Sequence, residues 1–192
     1  MRRSTPQPSR CRNGFAGWFP EVALPPAEAR EATLYERLRA LGIGWKTYEH
    51  APVFSVEEAA ALYASQPGGH TKNLFLKDRR NGLWLVVARD ELKIDLNALA
   101  SRLDAPRFSF GAAELLNAVL GVEAGSVTPF AVMNDVASQV RLVLDAEMLA
   151  LEPLNFHPMR NDRTTAITAA NLLKFVRACE HEPVILSLPQ RA

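Results

Sequence analysis

The run Gly68-Gly69-His70-Thr71-Lys72-Asn73-Leu74-Phe75-Leu76-Lys77-Asp78-Arg79-Arg80 decides how the chain is read. Two glycines precede a polar quartet, His70 to Asn73. Three apolar residues, Leu74 to Leu76, then commit the chain to a buried strand running roughly from Lys72 to Asp78. An ammonium and an amide at the mouth of an apolar strand are costly to bury unless something uses them. Asn81-Gly82 is a hairpin turn signal. Leu83 to Ala88 is apolar throughout, as in a strand covered on both faces.

Outward from this hairpin the elements alternate irregularly. On the N-terminal side, Leu34, Leu38 and Leu41 recur at helical spacing, so Ala27 to Leu41 is expected to be a helix ended by Gly42 and Gly44. Trp45 to Glu49 reads as a short strand, and Ala51-Pro52 as an extended or turning dipeptide. Ser55 with Glu58 forms a capping box for a helix to about Ala64. On the C-terminal side, Asp95 caps a helix to about Leu103. Arg107 to Phe110 is a brief strand, and Gly111 to Leu120 a helix with Leu115, Leu116 and Val119 inward. A glycine-bearing loop spans Gly121 to Pro129. Strands are expected at Val140–Leu144, Leu154–Phe156, Arg163–Ile167 and Val184–Leu188, with a helix over Thr168–Cys179. Helices scattered among strands that include a tight hairpin give an α+β fold. The expectation is a single domain, 27–192, with a mixed, curved central sheet surrounded by helices.

The bulk properties exclude several classes. The 192 residues suffice for one core, and no apolar run approaches a membrane span. Net charge is +1, but residues 1–20 hold Arg2, Arg3, Arg10 and Arg12 and no acid, leaving 18 basic and 21 acidic side chains for the rest. That balance is wrong for a nucleic-acid-coating domain, so any RNA contact is local. Cys11 and Cys179 form neither a disulfide framework nor a metal-spaced pair, which suits a reducing cytoplasm. Residues 1–26 carry five prolines and no periodicity, and are expected to form a disordered or loosely attached extension.

Four places carry the candidate chemistry. Lys72 can hold a phosphate, a carboxylate or a polarised carbonyl; its ordinary alternative is an edge-strand lysine. Asn73 is adjacent, and adjacent strand residues face opposite sides. The two can share a pocket only if the strand begins or bulges there. Gly125-Ser126-Val127-Thr128-Pro129 offers a glycine that tolerates positive φ, exposed N–H groups for an oxyanion and a proline that fixes the loop. The alternative is a plain helix-to-strand connector. His157, in Phe156-His157-Pro158, is either a half-buried structural imidazole or a functional group where a strand gives way to a turn, with general-base action as one option. His70 and His50 match no metal spacing, and neither cysteine lies near these motifs, so no metal and no covalent thiolate are expected. Lys77 and Arg107, on strands near Lys72, are candidates for nucleic-acid phosphate contacts.

The stretches GGHTKNLFLKD, GSVTPF and NFHP, in that order, resemble the YbaK/prolyl-tRNA editing superfamily, most closely its freestanding members that remove alanine from proline tRNA. The similarity runs from about Ala27 to about Ser187. The resemblance implies deacylation of mischarged tRNA by water, with the substrate's own ribose hydroxyl assisting and no cofactor. It implies Lys72, Gly125 and His157 as the catalytic set, and Asn73, His70, Ser126 and Pro129 as substrate contacts. It also implies the acceptor end of a mischarged tRNA as partner, with prolyl-tRNA synthetase a second partner. Cysteine on proline tRNA is the alternative substrate, and a non-catalytic tRNA- or synthetase-binding module the alternative class. No membrane is involved, and the expected state is a monomer or homodimer.

Overall fold

In the computed structural model, residues 23–51 and 66–191 are described. The expected helix over Ser55–Ala64 and most of the N-terminal extension lie outside them. The elements follow in order: α1 Ala27–Ala40, β1 Lys46–Glu49, β2 Gly69–Asp78, β3 Leu83–Arg89, α2 Leu96–Arg102, β4 Phe108–Phe110, α3 Ala113–Leu120, a 3-10 turn Pro129–Asn134, β5 Val140–Asp145, β6 Leu154–Phe156, β7 Arg163–Ile167, α4 Ala169–Ala178 and β8 Val184–Leu186.

The strands form one mixed eight-stranded sheet in the order β1-β7-β6-β2-β3-β5-β8, with β4 added on β2. The hairpin β2–β3 is antiparallel in unbroken register from Thr71–Arg89 to Lys77–Leu83. β3 pairs parallel with β5, and β5 with β8. Alternation along the hairpin feeds two cores. Phe75, Leu85 and Val87 face a core built with Leu34 and Leu38 of α1, Leu116 and Leu120 of α3, Phe130, and Leu172 and Phe175 of α4. Leu76, Trp84, Val86 and Ala88 face a second core with Leu99 and Ala100 of α2 and Leu188. Leu83 to Ala88 is buried without a break, as expected of a strand covered on both sides.

Caps explain where helices begin. Asp95 Oδ1 accepts from the N–H groups of Asn97 and Ala98, and Thr168 Oγ1 from that of Asn171. At the hairpin end, Asn81 takes φ 65°, the left-handed conformation that asparagine tolerates.

The feature that positions the site is a change of partner along one edge of β2. At its start, Gly69 and His70 pair parallel with Leu154 and Asn155 of β6. At its end, Leu76 to Asp78 pair antiparallel with Phe108 to Phe110 of β4. Thr71 Oγ1 still reaches Asn155 O at 2.8 Å, and Gly111 N still reaches Phe75 O at 3.0 Å. Between these two seams the edge at Lys72–Leu74 has no strand beside it among the described residues. Gly68 starts the bend into this edge with φ 104°, where a Cβ would collide with Pro153 O.

Candidate active site at the unpaired edge of β2

A cleft of about 160 Å³ opens at this gap, walled by Thr71, Lys72, Asn73, Gly125, Val127 and His157. The gap follows from strand geometry. Continuing the parallel register of β6 on β2 would bring His157 opposite Lys72. The chain leaves β6 after Phe156 instead, and the Gly121–Thr128 loop fills in from the other side.

Lys72 and Asn73 meet here without the irregularity that the sequence suggested. The strand begins at Gly69, three residues earlier than expected, and runs through both residues with no bulge. Alternation sends Asn73 to the α1–α3 side and Lys72 to the α2 side. Both border the cleft because the strand's open edge is itself one wall. Odd-numbered residues turn their backbone groups to that edge: Gly69 N donates to Pro153 O, and Phe75 O accepts from Gly111 N. Asn73 N–H and C=O therefore point into the gap, with no partner among the described residues. Its side-chain Oδ1 is also buried and unpaired.

Lys72 Nζ donates to Asp90 O at 2.7 Å. The acceptor is neutral, and no carboxylate among the described residues lies within ion-pair distance. The bond to Asp90 O leaves the amino group two further donors.

His157 is half-buried, and its Nδ1 lies 3.1 Å from Arg163 O. A carbonyl only accepts, so Nδ1 carries the proton and Nε2 is left with a lone pair and no partner among the described residues. Burial pushes the imidazole pKa below its ordinary value; the Arg163 carbonyl opposes this, His50 adds to it, and Asp162 opposes it. His50 sits beside it, ring centres 6.5 Å apart, and its own nitrogens go to Ala51 O and Thr164 Oγ1. The carbonyl that orients His157 is itself anchored. Glu31, buried on α1, ion-pairs with Arg160 and Arg163 at 3.2 Å each and accepts from Tyr35. This hub is absent from the sequence reading. Glu31 is one charge among several on a helix, and its partners lie some 130 residues away.

In the loop, Gly125 has φ 89°, and a Cβ there would point into open space. Its requirement for glycine is conformational, and the space above it is free for a ligand. The N–H of Ser126 closes a turn onto Glu123 O. The N–H groups of Gly125 and Val127 have no partner among the described residues, so these two, and not Ser126, are the donors available at the cleft.

Of the expected site residues, Lys72, Asn73, Gly125 and His157 come together. His70 does not line the cleft; its Nε2 faces Gln66 O. Ser126 is buried behind the loop, and Pro129 is buried at the start of the 3-10 turn capped by Thr128. Lys77 is half-buried at the β4 seam, and Arg107 is exposed just before β4; neither borders the cleft. Thr71 and Val127 are lining residues that the sequence did not single out.

Pockets for drug-sized ligands start at about 300 Å³. This one holds about five waters at ~30 Å³ each, room for a small acyl group but not for the nucleotide bearing it. Around this volume stand an imidazole with a free Nε2, unpaired amides and an ammonium without a carboxylate partner among the described residues.

Comparison with known proteins agrees. Residues 50–175 match the aminoacyl-tRNA editing domain, and the chain belongs to that family. It is 39% identical over 168 residues to the prolyl-tRNA synthetase associated domain-containing protein 1 of Danio rerio, covering 86% of this chain and 91% of that one. It is 32% identical over 152 residues to the prolyl-tRNA editing protein ProX of Acetoanaerobium sticklandii, covering 79% and 92%. A crystal structure described as a candidate trans-editing enzyme for prolyl-tRNA synthetase superposes with a TM-score of 0.64 at 17% identity, over 88% of this chain and all of that one. The fold is thus the mixed-sheet editing fold expected from the sequence.

Proposed function

We propose that this protein hydrolyses the ester between a small, wrongly attached amino acid and the 3′ adenosine of tRNA, with alanine on proline tRNA as first substrate. The observation that carries the proposal is the convergence of Lys72, Asn73, Gly125 and His157 on one small cleft. The names of the relatives, prolyl-tRNA editing and prolyl-tRNA synthetase associated, support the same tRNA and a synthetase as partner.

The chemical need is clear. A synthetase pocket built for proline rejects a smaller apolar side chain weakly, at about 1–3 kcal/mol per methylene. A second site that admits only the smaller side chain corrects the error. In the cleft, water attacks the ester carbonyl carbon. The N–H groups of Gly125 and Val127 face the oxygen on which negative charge develops. His157 Nε2 accepts a hydrogen bond from the water or the ribose hydroxyl. Lys72 supplies positive charge toward the ester and the RNA, and Asn73 binds the α-amino group through its open carbonyl edge. The C–O bond to the ribose breaks, the ribose oxygen leaves with a proton, and free amino acid and uncharged tRNA result. The ester is already activated, so positioning contributes much of the acceleration.

The test is a panel of alanyl-, cysteinyl- and prolyl-tRNA carrying the proline anticodon. Release of alanine with prolyl-tRNA spared supports the reading. Release of cysteine alone assigns the alternative substrate. Binding without release of any amino acid makes the protein a tRNA-binding module and overturns it.

A further inference from the structure

A second cleft, of about 360 Å³, lies against α1 and α3 and is built from the same two segments as the first. Gly121 begins the loop whose Gly125 and Val127 line the first cleft, and Met159 follows His157 by two residues. At most about 7 Å of chain separates those two residues.

Arg30 of α1 lines this second cleft and is only 8% exposed. Its Nε and Nη1 are fully buried with no hydrogen-bond partner. The neighbouring Glu31 does not compensate it, being taken by Arg160 and Arg163. No carboxylate among the described residues pairs with Arg30, so its guanidinium stands here without a counter-ion. Buried charges are ordinarily paired, because an uncompensated one is strongly destabilising. Asn117 of α3 lines the same cleft and carries a second orphan, a buried Oδ1. That oxygen is an acceptor and asks for a donor; the donor Asn117 can offer a ligand is its Nδ2, which is not among the buried orphans. The adjacent Asn134 is already committed, its Nδ2 donating to Leu120 O at 2.8 Å. The guanidinium of Arg30 is thus the group that calls for an anionic acceptor, and Asn117 Nδ2 is a second donor on the facing helix.

We infer that the Arg30–Asn117 cleft binds a phosphate of the RNA whose 3′ end enters the first cleft. The planar fork of arginine matches phosphate oxygens. On the reading above, the anions that arrive beside the first cleft are the backbone phosphates of the acceptor's single-stranded tail. This inference rests on that reading, and its test separates the two.

The test measures binding of a single-stranded RNA ending in CCA to the full chain across a salt series, for the wild type, Arg30→Met and Asn117→Ala. Arg30→Met is expected to weaken binding about tenfold and to reduce the slope of log K against log salt by about 0.7, the share of one single-strand phosphate. Its melting temperature is expected to stay level or rise, because a buried unpaired charge has been replaced by an apolar side chain. Asn117→Ala is expected to weaken binding about threefold. Unchanged affinity and slope in Arg30→Met overturn the inference. So does a fall in melting temperature with the slope unchanged, which makes Arg30 structural. If inorganic phosphate stabilises the wild type but not Arg30→Met while RNA binding is unaltered, the site takes a free anion and the RNA assignment fails. Absence of any hydrolysis by the wild type defeats the deacylase reading alone and leaves the salt slope to judge this one.

Discussion

The middle and the end of β2 bury polar residues in opposite ways. At the C-terminal end, Asp78 is 7% exposed and fully occupied. Its Oδ1 accepts from the N–H groups of Arg80 and Gly82, and its Oδ2 from Trp84 Nε1. Mid-strand, between the two seams, Asn73 keeps a buried Oδ1 with no partner, and its backbone faces a gap. One place holds the hairpin closed; the other is left unfinished. On a single strand, a complete hydrogen-bond inventory marks structure, and an incomplete one marks a place prepared for a ligand.

This contrast can be broken by substitution. The largest effect is expected at the unfinished place. Lys72→Ala should lower the rate of alanine release by about 10³-fold, the scale of losing a charge-stabilising donor, with an unaltered urea midpoint. A midpoint shift as large as the rate loss would place Lys72 with the structural residues.

Asp78→Ala should do the reverse. Stranding the Trp84 and backbone donors should cost about 3 kcal/mol in urea unfolding, with the turnover of the folded fraction unchanged. Burial alone would raise the Asp78 pKa, but the Trp84, Gly82 and Arg80 hydrogen bonds and the nearby Arg141 hold it below its ordinary value. Its contribution is therefore complete above the ordinary carboxylate pKa and lost as pH falls through the depressed one. Acid unfolding of Asp78→Asn should be the less steep of the two proteins.

His157→Ala should reduce turnover about tenfold, at the low end for a positioned acid–base group. The imidazole pKa is depressed, so the neutral form dominates at pH 7 and the rate should be flat from pH 7 to 8, falling only below the ordinary histidine range. The same depression makes His157 cost stability as pH drops below 6.5, where the unfolded chain takes up the proton first. A rate that falls between pH 7 and 8 would remove the free Nε2 from the mechanism.

The smallest effect is at Gly125. Forcing φ 89° on alanine should destabilise by about 1–2 kcal/mol. Because the added Cβ meets nothing, alanine release should drop only as far as the loop's N–H groups are displaced. An activity loss without any stability change would point to the Cβ blocking the ligand.

Much of the frame was legible in the sequence because local physics writes it. The Leu34–Leu38 spacing, the Asp95 cap, Asn81-Gly82 and the unbroken apolar run of β3 each name their element within a residue or two. The site was legible in its members but not in its construction. Lys72, Asn73, Gly125 and His157 could be singled out, yet a strand start or bulge was the only local device for joining Lys72 to Asn73. The actual device is long-range: β6 and β4 divide one edge of β2 between them, and no pattern within β2 records that. Ser126 and Pro129 were grouped with Gly125 by adjacency, while the turn onto Glu123 and the Thr128 cap draw them inward. Glu31 and Arg30 are neighbours on one helix with opposite fates, one paired with two arginines and the other with no acid among the described residues. Sequence spacing does not separate them.

The seam between β6 and β4 has a consequence for selectivity. Its width is measured by three residues of a strand that is hydrogen-bonded along its entire opposite side. Such an aperture does not dilate the way a mobile flap does; widening it means prising apart ladders that belong to the core. Under the proposed function, a side chain one ring too bulky would be turned away by the skeleton of the domain, and single substitutions inside the opening should shift its tolerance less than an insertion that lengthens the interval between the two seams.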